Sequence, residues 1–279
     1  MILWILVQFL WILPGFLAND DFHLKFPPGF TIGASSSAYQ IEGGWNASDK
    51  GVSVWDWFAH EKNFLIEDGS NGDIACDSYH KYKEDIEIME KYSTFCSRGS
   101  YDYFGLNHYT SKMVEPVPKM KGDLWHLDSG VRSFANASWP GCPTDWLSVV
   151  PEGLGGVLRD IKEAYNNPPV YILENGVSSN PGFADYNRIE FLYGYMKEML
   201  LARNRDGCDV KVYTVWSLLD NFEWDRGYSE RFGLIEVDFN NLNRTRTPRL
   251  STRWLREIIT RGKLMKLEDS ELFRQLSQN

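Results

Sequence analysis

Basic clusters, metal-ligand spacings and long apolar runs are scarce in this 279-residue chain, and each shortage removes a class of function. Lys and Arg total 29 against 38 Asp and Glu, giving a net charge of −9 with no basic cluster. Phosphate-rich partners select for clustered Lys and Arg, so nucleic acid and anionic membrane surfaces are not expected ligands. The four cysteines, Cys76, Cys96, Cys142 and Cys208, lack C-x-x-C spacing, which argues against zinc or dithiol chemistry. Buried free thiols and three disulfide connectivities both remain open. The five histidines, His23, His60, His80, His108 and His126, show no metal-ligand spacing, and there is no serine nucleophile elbow. Gly153-Leu154-Gly155-Gly156 opens a helix without a preceding strand or phosphate-loop spacing. No metal or cofactor is expected.

One run alone nears the length of a membrane span. Met1 to Ala18 is apolar, is interrupted by Pro14 and Gly15, and is followed by polar Asn19-Asp20-Asp21. This resembles a secretory signal peptide (1–18), with an uncleaved anchor as the alternative. The remainder, 19–279, reads as a single domain, secreted and without a stable membrane anchor. Three glycosylation sequons, at Asn46, Asn136 and Asn243, agree with passage through the secretory pathway.

What is present is an ordinary globular balance, 43% apolar and 24% charged, with an aromatic fraction of 15% that includes 11 Trp. Patterning predicts strands at Phe30–Tyr39, Tyr103–Thr110, Val170–Leu173 and Lys211–Leu218. Helices are expected over Asp77–Tyr92, with Tyr79, Tyr82, Ile86 and Met89 on the apolar face, and from Pro151, with Leu154, Val157, Leu158, Ile161 and Tyr165 sharing a face. Two more follow, at Asn187–Arg203, with Ile189, Leu192, Tyr195, Met196 and Met199 inward, and at about Ser251–Ile259. Strands alternating with helices imply parallel β/α units, and near-continuous apolar strands imply burial on both faces. Gln40, Asn107, Glu174 and Glu223 fall at or just beyond strand C-terminal ends, the rim where β/α barrels place their sites. Only four units are countable, and a closed barrel needs eight.

Glu174 closes an apolar strand, where a carboxylate must be hydrogen-bonded, paired or functional. Glu223 lies between Trp216 and Trp224, a setting suited to gripping sugar hydroxyls while an aromatic face packs on the ring. Several longer motifs accompany them: Phe26-Pro27 through Ala38-Tyr39-Gln40-Ile41-Glu42-Gly43, Ser53-Val54-Trp55-Asp56, Ala75-Cys76-Asp77 to Glu84-Asp85, and Tyr101 to Thr110. Ile172-Leu173-Glu174-Asn175-Gly176 and Trp216 to Gly233 complete the set. Together they resemble the family 1 retaining β-glycosidases, the group of β-glucosidase-like, lactase-like and myrosinase-like enzymes, from about Phe22 to Lys263.

That resemblance implies an α/β fold, a (β/α)8 TIM-type barrel with strands equivalent to 1, 6, 7 and 8 present and 2 to 5 missing. The break falls near 93–98, where the first helix runs directly into the approach to the sixth strand. It implies Glu174 as nucleophile and Tyr109 as its hydrogen-bonding partner, with Asn107 nearby. Gln40, Glu223 and Trp224 would bind sugar hydroxyls, Trp216 would form a stacking wall and Phe232 would border the site. His108 is read as structural, facing away from the rim. The family's acid/base Glu, in an Asn-Glu-Pro motif on the fourth strand, has no counterpart, and Glu115-Pro116 is not a substitute. The expected ligand is a small β-glycoside or oligosaccharide, and the expected reaction is hydrolysis of O-glycosyl bonds with impaired turnover. A noncatalytic carbohydrate-binding or receptor-like relative and a nonfunctional splice or gene-model fragment are the alternatives. Exposed strand edges would favour self-association.

Overall fold

The computed structural model describes residues 24–48, 50–92, 103–118 and 130–277. The leader, the junction at 93–98, Cys96, His23, His126 and Tyr101-Asp102 lie outside the described residues.

The four expected strands form one parallel sheet. They are β1 (Thr31–Ser35), β2 (Phe104–Asn107), β5 (Val170–Glu174) and β6 (Val210–Trp216), in the order β1-β6-β5-β2. Thr31 pairs with Val212, Tyr171 with Val212, and Gly105 with Tyr171, so one row of residues runs level across the sheet. The first strand is shorter than its sequence suggests. It stops at Ser35, and a helical turn α1 (Ala38–Ile41) carries Gln40 beyond it.

Helices α4 (Pro151–Ala164), α5 (Tyr186–Asn204) and α6 (Leu250–Arg261) pack on the sheet. Their apolar rows meet Val170, Ile172, Tyr213 and Val215 in the main core: Leu154, Leu158 and Ile161 from α4, and Trp254, Leu255 and Ile258 from α6. All five inward residues expected of α5 are buried. Pro151 at the first turn of α4 fixes its start, since the missing N–H is one the helix would leave unpaired.

Three expectations need correction. Helix α3 (Ser78–Tyr92) forms, yet Tyr79, Tyr82 and Ile86 are 45%, 53% and 43% exposed. The buried side of α3 carries Asp85 instead, because the Arg246 guanidinium sits against it at 3.0 Å. Tyr165 terminates α4 as its C-cap and is exposed. Apolar strand composition also overstated burial. Helices cover one face of the sheet, while Leu173, Tyr103 and Gly105 are exposed on the other.

Other elements were not legible. Helix α2 (Val54–Glu61) begins in a capping box in which Ser53 Oγ accepts from Asp56 N and Asp56 Oδ2 accepts from Ser53 N. Two antiparallel pairs complete the described sheets: β3 (Met113–Pro116) with β4 (Val131–Phe134), and β7 (Ile235–Val237) with β8 (Arg246–Pro248). Glu115 of β3 pairs with Arg132 of β4. A short helix α7 (Glu271–Leu276) follows α6. Cys76, Cys142 and Cys208 are all free thiols.

Candidate active site

The C-terminal rim of the sheet opens into a cavity of about 240 Å³ lined by Ser37, Gln40, Tyr109, Trp146, Glu174, Trp216, Glu223, Trp224 and Phe232. Seven of the eight site residues expected from the sequence therefore converge. The eighth, Asn107, pairs in register with Glu174 at the end of β2 but is exposed and does not line the cavity.

Glu174 is the last residue of β5, and its half-buried carboxylate accepts a 2.7 Å hydrogen bond from the Tyr109 hydroxyl. Burial, then the bond to Glu174, pushes the Tyr109 phenol far above its ordinary pKa. Tyr109 is thus a neutral donor that orients one carboxylate oxygen. The Tyr109 ring also meets Trp146 edge-on at 5.8 Å and Phe232 at 6.3 Å, which fixes its direction.

The chain turns sharply after Glu174. A Cβ on Gly176 would overlap the Trp216 carbonyl, so the Glu-Asn-Gly order has a steric reason. Buried Asn175 anchors the turn: its Nδ2 donates to the His108 carbonyl at 2.6 Å and its Oδ1 accepts from the Tyr213 hydroxyl. His108 packs against Tyr195, and burial lowers its pKa to about 4, so it is neutral at physiological pH. It does not line the cavity, in keeping with its structural reading.

The segment after β6 supplies the other wall. Glu223 is 9% exposed and accepts a 3.0 Å bond from the Trp216 indole. Burial raises its pKa to about 7, with the Trp216 bond and the neighbouring Glu230 and Glu174 as smaller influences. Near neutrality its carboxyl is shared between forms able to donate to or accept from a hydroxyl. Gln40 donates to Asn221 Oδ1 at 2.9 Å and to the Phe222 carbonyl at 2.8 Å, tying α1 to this segment. Trp224 has a φ of 50° and packs at a tilt against Trp55, ring centroids 4.7 Å apart. Gly227, at φ 59°, lets Asp68 approach its Cα, and the Asp68 carboxylate accepts from Tyr228 N at 2.7 Å.

A buried ionic network holds this wall to the helices. Asp220 accepts two 2.8 Å bonds from Arg249 and one of 2.9 Å from Gly233 N. Arg188 donates to Asp185 at 2.5 Å and to the Gly233 and Arg231 carbonyls at 2.8 and 2.7 Å. Charged residues this deep are tolerated because their donors and acceptors are nearly all matched. The sequence reading missed them, as it missed Ser37, Trp146 and Asn221. Asp220-Asn221 beside an apolar strand end was the available signal.

The glycosyl hydrolase family 1 model matches residues 22–98 and 91–264. Myrosinase 1 of Brevicoryne brassicae is 38% identical over 237 residues, covering 83% of this chain and 48% of the relative. The human lactase-like protein is 37% identical over 167 residues, 58% of this chain and 29% of the relative. Human cytosolic beta-glucosidase is 40% identical over 165 residues, 58% of this chain and 35% of the relative. The chain thus spans about half the length of these relatives, or less. Among solved structures, an aphid myrosinase superposes with a TM-score of 0.76 at 23% identity over 86% of this chain and 100% of that one. A Thermotoga maritima beta-glucosidase in complex with deoxynojirimycin gives 0.76 at 20% identity, over 87% of this chain and 100% of that one. These structural likenesses establish the family's TIM-barrel type of α/β fold. The chain belongs to glycosyl hydrolase family 1.

Proposed function

We propose that this chain is the glycosyl-binding half of a retaining β-glycosidase, with Glu174 as nucleophile and no acid/base carboxyl to match it. The observation that carries the proposal is the Tyr109 hydroxyl at 2.7 Å from Glu174 inside a cavity walled by Trp216, Trp224, Gln40 and Glu223. Gln40, Glu223 and Trp224 hold sugar hydroxyls, Trp216 stacks on the ring and Phe232 closes one side. Asn107 reaches the site only if the sugar extends over the end of β2.

In retaining hydrolysis the carboxylate attacks the anomeric carbon and the leaving oxygen takes the bonding pair together with a proton from a second carboxyl about 5 to 5.5 Å away. The carboxyls lining the cavity are Glu174 and Glu223, and Glu223 is bound to Trp216 in the sugar-gripping wall. Losing general acid assistance typically costs about 10² to 10⁴ in rate. Leaving groups that need no proton would still depart, and the glycosyl-Glu174 ester would then hydrolyse slowly for want of a base.

The parallel order β1-β6-β5-β2 supports a barrel from which strands equivalent to 2 to 5 are absent, since it matches strands 1, 8, 7 and 6 of a closed ring. The family match in two stretches that meet at 91–98 supports a break at that junction, within a single domain spanning 19–279. A solved relative in complex with deoxynojirimycin supports a sugar-like ligand. Secretion, with 1–18 as signal peptide and the sequons glycosylated, belongs to the same proposal. A second reading, carbohydrate binding without catalysis, is favoured by the single suitably oriented carboxylate; a nonfunctional fragment is the third.

An aryl glucoside with a good leaving group tests the proposal. The expected result is a burst of about one equivalent followed by slow turnover that azide accelerates. A folded, glycan-binding protein with no burst would leave the noncatalytic reading in its place.

A further inference from the structure

Among the described residues, β1 pairs only with β6 and β2 only with β5, so the sheet that carries the site has two unpaired edges. All four strands run the same way, which puts the edges on opposite sides of the sheet, pointing in one direction. Helices cover one face, and the other exposes Leu173, at 37%, beside Tyr103 and Tyr171 stacked at 4.3 Å. Parallel sheets ordinarily have both faces covered, and an unpaired edge is a template for another strand.

Four parallel strands are half of the eight that close a β/α barrel. A two-fold axis parallel to the strands, set over the open face, brings β2 of each copy beside β1 of the other in parallel. Both edges of both copies are then paired. A two-fold axis perpendicular to the strands would instead pair β1 with β1 and β2 with β2, each antiparallel, which an all-parallel β/α barrel does not contain. We infer that a second copy of this chain covers the open face, closing an eight-stranded parallel barrel from two half-sheets.

Strands about 4.8 Å apart and about 3.3 Å per residue give a face of roughly 300 Å² per copy. Two such faces give roughly 600 Å², to which two edge pairings add, still short of the roughly 1,200 Å² buried by stable specific dimers. The dimer is therefore weak and concentration-dependent. Its second copy supplies the barrel wall opposite Glu174, shielding the cavity from the side on which the sheet is open.

Light scattering on the full chain across a dilution series tests the assembly, and neither this readout nor the next depends on catalysis. Twice the chain mass at high concentration, dissociating on dilution, is expected. Leu173→Lys should weaken the dimer at least about tenfold, since it buries a charge in the barrel interior. Tyr186→Lys, on the outer surface of α5, should change it less than about twofold. Should Leu173→Lys fail to fold, Asn107→benzoylphenylalanine in a mixture of isotopically heavy and light chains gives a second measurement. Photolinks between heavy and light copies should land on Thr31–Ser35. A monomer at every concentration, indifference to Leu173→Lys in a folded variant, or intercopy links to the outer helices would each overturn the inference.

Discussion

Helices α3 and α5 carry the same kind of apolar periodicity and end in opposite situations. On α5 the row Ile189, Leu192, Tyr195, Met196 and Met199 is buried against α4 and the sheet. On α3, Tyr79, Tyr82 and Ile86 are exposed, and the inward side carries Asp85, paired with Arg246, and Ile88 against the core. The same contrast holds for the sheet. Ile172 is fully buried beneath the helices while its neighbour Leu173 stands on the open face. Periodicity specifies that a face is apolar; whether it is buried depends on an opposing element. The site lies at the C-terminal rim between these two faces, lined by strand ends and the segments that follow them.

The contrast is broken most severely through the ionic network on the packed side. Arg249→Met removes the partner of fully buried Asp220 and should cost about 3–5 kcal/mol of stability, measured by urea unfolding. Leu192→Ala, in the buried row of α5, should cost about 2–5 kcal/mol by the same measurement. An unchanged midpoint for either would mean that this side is not the stabilising one.

Glu223 sharpens the comparison through pH. Its pKa rises from 4.5 to about 7 on folding because burial disfavours the charged form. The native state thus holds a proton that the unfolded state has released, and the contribution present below about pH 4.5 is lost as pH rises through about 7. Between pH 5 and pH 8, wild type should lose up to about 3 kcal/mol relative to Glu223→Gln. Parallel pH profiles would contradict the burial of this carboxyl. The smallest effect is expected on the exposed face of α3, where Ile86→Ala should change stability by no more than about 0.5 kcal/mol, in contrast to Leu192→Ala.

Much of the site was legible because its residues follow strand ends. Glu174, Trp216 and the segment to Glu223 lie where apolar runs stop, and Tyr109 sits beyond Asn107 in the same way. Gln40 was placed correctly although its support is a helical turn and not a strand. Asn107, expected near Glu174, pairs with it after a register shift between Leu106 and Asn107 and does not line the cavity. Trp146 was invisible for a different reason: it comes from a loop that reaches the site through tertiary contacts, its ring against Tyr109 and Asp145 paired with Arg226. The Asp220–Arg249 and Asp185–Arg188 pairs were unreadable because the charge of a residue predicts exposure, and only the fold reveals that each has a partner.

The central claim is that Glu174 retains its nucleophilic role on a half-site. Incubation with 2-deoxy-2-fluoro-β-glucosyl fluoride tests it directly, because fluoride departs without a proton and the fluorinated sugar slows release of the ester. Intact-mass measurement should show one added fluoroglucosyl group, mapped to the peptide containing Glu174 and absent from Glu174→Gln. A folded protein that gains no mass, or that carries the group on another residue, would contradict the account.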